Sequence, residues 1–68
     1  MKTVSGKKIC KLLENKGWEL KKISGSHHIY CKTGKKEKLS VPVHGNADLK
    51  IGLLKFLMKI ADIDAEEL

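Results

Sequence analysis

The stretch WELKKISGSHHIYCKTGKKEKLSVPVH, from Trp18 to His44, decides the fold because it holds three strand-like segments separated by turns. Its alternation of apolar and polar residues predicts strands over residues 18–23, 27–32 and 38–43. Glycine-containing breaks separate these segments, at Ser24-Gly25-Ser26 and at Thr33-Gly34-Lys35-Lys36. Pro42 lies near the end of the third segment, and an edge strand tolerates proline where a central strand does not. The stretch therefore predicts an antiparallel meander whose third strand is at an edge.

A first helix is predicted before the meander, over residues 6–16. Ser5 can cap its start, because a serine oxygen at this position accepts a hydrogen bond from a free backbone N–H. Apolar residues recur at the spacing of one buried face, at Ile9, Leu12 and Leu13. Gly17 occupies the position of a left-handed C-terminal cap, which would let Trp18 pack back on Leu13.

A second helix, predicted over residues 48–61, carries more apolar residues than one buried face needs. Its predicted core face consists of Leu49, Leu53, Phe56, Leu57 and Ile60. A second apolar row consists of Ile51, Leu54 and Met58. Because a helix that is apolar over most of its circumference is usually buried on more than one side, this row needs a second neighbour. We expect either another chain, in a homodimer or hetero-oligomer, or the C-terminal turn of this chain, capped by Asp64, whose Ile63 and Leu68 fold back over the row.

The order helix, three-stranded antiparallel sheet, helix predicts an α+β fold with both helices on one face of the sheet and the other face in water. This layout matches that of a double-stranded-RNA-binding domain. The 68 residues allow a single domain, 1–68, with a small core, so any site should be a shallow surface feature.

Lysine dominates the charge of the chain. All 14 basic residues are lysines, and residues 1–61 carry a net charge of +10 whereas the last seven carry −4. Such a surface attracts polyanions, and lysine contacts phosphates as a point charge without reading base edges. The composition therefore favours binding to a nucleic-acid backbone with little sequence specificity, unless lysine serves only solubility.

Several other classes of protein fit the sequence poorly. The two cysteines, Cys10 and Cys31, do not make a disulfide scaffold, and no secretory leader precedes them. No apolar run approaches the roughly 20 residues that span a membrane. The histidines and cysteines lack the spacing of a zinc site, so we expect no metal and no cofactor. These features predict a cytoplasmic protein with reduced thiols.

The three histidines are the candidate catalytic groups. Imidazole exchanges protons near neutral pH, and His27 follows the small residues Gly25 and Ser26, whose backbone N–H groups could meet a phosphate. His27 and His28 point to opposite faces of a strand, so they cannot both act on one phosphate, and periodicity leaves the choice between them open. His44 could be a second proton-transfer group or simply part of a loop. His27 and His28 could equally form a polar strand end without catalytic function.

Several short motifs together suggest a family. They are Ser5-Gly6-Lys7, Leu12-Leu13 with Gly17-Trp18, Gly25-Ser26-His27-His28-Ile29-Tyr30, Val41-Pro42-Val43-His44 and Leu49-Lys50-Ile51-Gly52-Leu53-Leu54. In this order and spacing the chain resembles the HicA family of bacterial and archaeal mRNA-interferase toxins. It departs from the family at Leu53, where threonine is common, and we expect Leu53 to pack rather than to act in chemistry.

The resemblance implies metal-independent RNA cleavage by a double-stranded-RNA-binding-like domain, and a HicB-like antitoxin that covers the active surface. It assigns the catalytic role to His27. We expect Gly25, Ser26, Lys8, Lys22 and Lys32 to bind the substrate, mRNA, and an acidic partner to occlude His27. The alternatives are a non-catalytic RNA-binding module, an inactive toxin relative, or an interaction domain whose charge is incidental.

Overall fold

The computed structural model describes residues 3–68 and shows the predicted α+β order. Its elements are α1 (Gly6–Asn15), β1 (Glu19–Ser24), β2 (His27–Cys31), β3 (Leu39–Pro42), α2 (Ile51–Ala61) and a short 3-10 turn (Ala65–Glu67). The strands form an antiparallel sheet in the order β1-β2-β3, so Pro42 is in an edge strand as predicted. No helix among the described residues is long and apolar enough to cross a membrane.

Both ends of α1 form as the sequence predicts. The Ser5 hydroxyl accepts a hydrogen bond from the backbone N–H of Lys8 at 3.3 Å. At the other end, Gly17 adopts a φ of 95°, a conformation that costs glycine little. The backbone N–H of Trp18 then donates to the carbonyl of Leu13 at 3.0 Å, and both side chains are buried in the core. The cap thus turns the chain directly from helix into sheet.

The start of α1 lies against the end of β3 with no room for a side chain. A Cβ atom added to Gly6 would overlap the carbonyl oxygen of Pro42 and lie 3.3 Å from the Cα of Val43. Because these neighbours are backbone atoms, they cannot rotate away. Gly6 therefore permits a backbone-to-backbone contact that fixes α1 across the sheet.

The helices cover one face of the sheet, as predicted. Tyr30, Leu39 and Val41 are buried beneath them, and we call this face the helix side. The opposite face, here the open face, carries His27, Ile29, Cys31 and Ser40, which alternate with the buried residues along β2 and β3. None of these four is fully buried.

The edge strand β1 is exposed along its whole length. Leu20 pairs with Tyr30 and Ile23 pairs with His28, while the register shifts between Leu20 and Lys22. Directly paired residues point to the same face, so this bulge puts both apolar side chains of β1 on the helix side. They are not covered there: Leu20 is 42% exposed and Ile23 is 55% exposed.

The prediction for α2 was wrong in its start and in part of its buried face, although Leu57 is buried as predicted. The helix begins at Ile51 rather than at residue 48. Its buried residues are Leu54, Leu57, Met58 and Ala61, whereas Leu53 and Ile60 are only partly buried and Phe56 is 52% exposed. Two apolar rows at the same helical spacing fit periodicity equally well, so only packing against the rest of the chain could select between them. Leu49 is buried as predicted, although it lies before the helix.

This correction removes the predicted oligomer contact through Ile51, Leu54 and Met58. Leu54 and Met58 are core residues, and only Ile51 is exposed. The expected alternative is confirmed: Ile63 is buried and Leu68 packs against the core. Leu54 and Met58 are therefore part of this chain's own core, to which the C-terminal segment also contributes.

Polar contacts hold the C-terminal segment against the rest of the chain. The Glu67 carboxylate accepts a hydrogen bond from the Asp64 backbone N–H at 2.8 Å and forms a salt bridge with Lys16 at 3.0 Å. Both contacts lower the pKa of the Glu67 carboxyl, and the hydrogen bond from the Asp64 backbone has the larger effect. The ammonium of Lys8 also donates to the carbonyl of Leu68. The C-terminal segment thus contacts Lys8 of α1 and Lys16, the residue after α1.

Candidate active site

The pairing of β2 with β3 brings together the two histidine motifs of the sequence. His27 lies opposite Pro42, and the backbone N–H of Val43 donates to the carbonyl of Ser26 at 2.7 Å. As a result the Gly25-Ser26 turn and the segment that ends at His44 meet at one end of the sheet. A candidate site exists there that no single segment of the sequence contains.

His27 is exposed on the open face of the sheet. Its Nδ1 lies 3.2 Å from the hydroxyl oxygen of Ser40, and this is the one hydrogen bond of the ring within residues 3–68. A serine hydroxyl both donates and accepts, so it can partner Nδ1 in either tautomer of the imidazole. Nε2 is thereby left to face solvent, as an acceptor in one tautomer and as a donor in the other.

His28 has a different environment, on the helix side of the sheet. It pairs with Val41 and Ile23 and is half-buried. The prediction that the two histidines point to opposite faces is therefore confirmed. The structure also supplies what periodicity lacked, because Tyr30 rather than Ile29 is the core residue of β2, which leaves the face of His27 in water.

His44 lies beside Ser26, just before the start of β2. Its Nε2 is 3.3 Å from the hydroxyl oxygen of Ser26, and the ring is exposed. Gly25 has a φ of 60° with no atom within 4 Å of an added Cβ, so glycine is needed there for its backbone conformation and not for space. The turn is consequently open to a ligand, with His27 directly after it in the chain and His44 in contact with Ser26.

The three lysines predicted to bind substrate lie in three different places. Lys22 pairs with Ile29 on the open face, near His27. Lys8 is on α1, where its ammonium is hydrogen-bonded to the C-terminal residue. Lys32 follows the far end of β2, about 16 Å along the chain from His27 and close to Gly17. Only Lys22 is therefore positioned beside the candidate site.

Ser40 is the site residue that the sequence reasoning missed. Its signal was the two-residue alternation of β3, which puts Ser40 on the same face as Pro42 and hence diagonally across from His27. Detecting it required the register between β2 and β3, and the register depends on the length of the intervening turn.

Tyr30, by contrast, is a core residue and not a platform for stacking bases. Its hydroxyl donates to a carboxylate oxygen of Glu14 at 2.8 Å. Burial, with the hydrogen bonds to Cys10 and Glu14, raises the pKa of the Tyr30 hydroxyl, and burial also raises the pKa of the Cys10 thiol. These groups stay protonated at neutral pH and connect α1 to β2. Across residues 3–68, no three histidine, cysteine or acidic side chains converge as a metal site would require.

Comparison with known proteins agrees with this architecture. A family model described as the HicA toxin of bacterial toxin-antitoxin systems matches residues 6–63. The match covers most of the chain, from the glycine at the start of α1 to the buried Ile63. The chain therefore belongs to the HicA toxin family. No curated protein matches it significantly. Membership gives it a toxin role and implies a HicB-type antitoxin as its partner.

Proposed function

We propose that this toxin is a metal-independent endoribonuclease that cleaves mRNA in the cytoplasm, with His27 as its general base. The observation that carries the proposal is the environment of His27. Its imidazole is exposed on the open face, Nδ1 is hydrogen-bonded to Ser40, and Nε2 faces solvent. A general base needs an accessible lone pair and a fixed ring orientation, and this arrangement supplies both.

The reaction would be a transesterification within the RNA. Nε2 of His27 takes the proton of a ribose 2′-OH, and the 2′-oxygen attacks the adjacent phosphorus. The bond from phosphorus to the 5′-oxygen then breaks, giving a 2′,3′-cyclic phosphate and a 5′-hydroxyl. The proton that the leaving oxygen needs comes back from the His27 imidazolium or from His44, whose Nε2 lies 3.3 Å from the Ser26 hydroxyl oxygen.

Substrate binding would use the backbone of the Gly25-Ser26 turn and the lysines. Lys22 shares the open face with His27, so its ammonium would stabilise the charge that develops on the phosphorane. Lys8 and Lys32 are remote from His27 and would bind phosphates further along the RNA strand. The net charge of +6 supports such backbone recognition.

The test compares His27→Ala with His28→Ala, two neighbours on opposite faces of one strand. Purified proteins are incubated with RNA in the presence of EDTA, and the products are assayed for 2′,3′-cyclic phosphate ends. We expect His27→Ala to lower the cleavage rate about 10²–10⁴-fold, the usual contribution of a general base. We expect His28→Ala to cleave at close to the wild-type rate, since its ring lies on the helix side.

RNA affinity measured in parallel separates this proposal from a non-catalytic module. A nuclease site predicts that His27→Ala still binds RNA with the salt dependence of the wild type. Wild-type protein that binds RNA in this way but does not cleave it, or a His27→Ala variant that cleaves normally, would show that the proposal is wrong. Growth arrest and mRNA loss on induction of the wild type alone would extend the result to cells.

A further inference from the structure

A groove runs between α1 and β1 on the helix side of the sheet, with a volume of about 700 Å³. We call it the α1–β1 groove. One wall carries Lys7, Lys8 and Lys11 from α1, and the floor includes Leu20, Tyr30 and Val43. The groove lies on the face opposite His27, so the proposed catalytic group does not account for it.

The groove exists because the layer of helices is narrower than the sheet. α1 and α2 bury residues of β2 and β3, whereas every residue of β1 is exposed. The bulge at Lys21 directs Leu20 and Ile23 toward this uncovered region, where they are 42% and 55% exposed. Leu20 lines the groove, and Ile23 lies next to it, paired with His28 of the lining. Among the described residues, they are two of the four large apolar side chains that are exposed rather than buried or partly buried.

We propose that the α1–β1 groove binds an acidic amphipathic helix of the antitoxin, which supplies the missing third helix of the layer. Glu14 is the one carboxylate among the residues that line the groove, and it already accepts the Tyr30 hydroxyl. The ammonium of Lys8 donates to Leu68, which leaves Lys7 and Lys11 as the cations of the wall that an acidic partner would meet. An acidic occupant would therefore neutralise a wall of like charges. This inference rests on the HicB-type partner that the family implies, and not on the ribonuclease mechanism. The groove would be a second contact of that partner, on the helix side, in addition to the occlusion of His27 that the resemblance implies.

The apolar floor favours a protein over RNA as the occupant. Phosphates and sugars cannot cover Leu20 and Ile23 as the apolar face of a helix can. A helix is also favoured over an added strand, because the bulge at Lys21 disrupts the regular edge that strand pairing needs. The expected segment thus has apolar residues three and four apart, facing the sheet, and acidic residues on the side facing α1.

The first experiment measures the affinity of the purified antitoxin for variants of this toxin by calorimetry. One variant combines Leu20→Asp with Ile23→Asp. Its control combines Ile51→Asp with Phe56→Asp, whose side chains on α2 are 42% and 52% exposed and so match the groove pair. We expect the groove variant to bind at least about tenfold more weakly and the α2 variant to bind like the wild type.

A second variant, Lys7→Glu with Lys11→Glu, tests the charged wall without altering the sheet. Both lysines are exposed, so the variant should fold even if aspartates on β1 disturb the strand. We expect weaker antitoxin binding and a smaller dependence of the affinity on salt. Carbodiimide cross-linking of the wild-type complex should join these lysines to carboxylates three or four residues apart in the partner.

Several results would overturn the inference. Groove variants that bind antitoxin normally, or an α2 variant that alone loses binding, would move the interface away from the groove. Loss of RNA binding alone in the lysine variant would assign the wall to RNA. Cross-links to a non-helical segment would exclude the helix. If the wild type does not bind the antitoxin, the docking inference is wrong. The ribonuclease proposal is tested separately by the His27→Ala cleavage assay.

Discussion

Gly6→Ala should destabilise this protein, although alanine is the better helix former. In an ordinary helical position the exchange gains up to about 1 kcal/mol. At Gly6 the new Cβ would overlap the Pro42 carbonyl oxygen and lie 3.2 Å from its carbonyl carbon and 3.3 Å from the Val43 Cα. Overpacking of this kind costs about 1–3 kcal/mol, and here the neighbours are backbone that cannot rotate aside. The steric cost should therefore exceed the helical gain.

Gly52→Ala is the matched control, since Gly52 lies in the first turn of α2 as Gly6 lies in the first turn of α1. No atom lies within 4 Å of a Cβ added to Gly52, and its φ is not positive. The same exchange should here raise the free energy of unfolding by about 0.5–1 kcal/mol. The same glycine-to-alanine substitution should therefore lower the free energy of unfolding at the start of α1 and raise it at the start of α2.

Urea and thermal denaturation, followed by circular dichroism and by the fluorescence of the buried Trp18, would measure both effects. In a domain of this size, 1 kcal/mol shifts the Tm by about 4–8 °C. We expect a lower Tm for Gly6→Ala and a higher one for Gly52→Ala, with unchanged urea m-values. A Gly6→Ala protein as stable as the wild type would refute the argument that α1 and β3 touch through their backbones. Loss of stability in both variants would refute the reasoning on available space.

Three further predictions concern the site, the core and the C-terminal turn. Ser40→Ala should lower the cleavage rate and shift its pH profile because the imidazole of His27 loses its partner, whereas Ser40→Thr should restore both, and an unchanged profile in Ser40→Ala would exclude the positioning role. Leu54→Ala should cost about 2–5 kcal/mol in urea unfolding because it leaves a cavity, whereas Phe56→Ala should cost little because its ring is half-exposed. The pKa of Glu67 is lowered in the folded state, so its contribution to stability is present above the ordinary value of 4.5 and is lost as pH falls through the lower folded value. Protection of the amides in the C-terminal turn, measured relative to their intrinsic exchange rates, should fall over that acidic range, and Glu67→Gln should abolish this loss of protection; its persistence in Glu67→Gln would assign it to another group.

The sequence was sufficient for the features that depend on neighbouring residues. Ser5 caps α1, Gly17 ends it in a left-handed conformation, and Pro42 lies in an edge strand, all as predicted. Each depends on backbone geometry within a few residues, where the chemistry of one side chain decides. The alternation of His27 and His28 between two faces follows in the same way from the pleat of a strand.

The sequence failed where two arrangements satisfied the same periodicity. In α2 it could not choose between the row of Phe56 and the row of Leu54, and the fold buries Leu54. It could not reveal the contact of Ser40 with His27 or that of Ser26 with His44, because both cross from one segment to another. The uncovered strand β1 was equally invisible, since coverage depends on where the helices cross the sheet.

The sequence by itself thus determined the elements, their order, the basic character of the chain and the residues that could carry chemistry. Tertiary structure alone decided which face of the sheet is open, which histidine faces solvent, which apolar row of α2 is buried and where a partner could dock. The physical reason is that periodicity reports which side chains share a face. Burial of that face depends on contacts between segments far apart in the chain, which only the folded packing establishes.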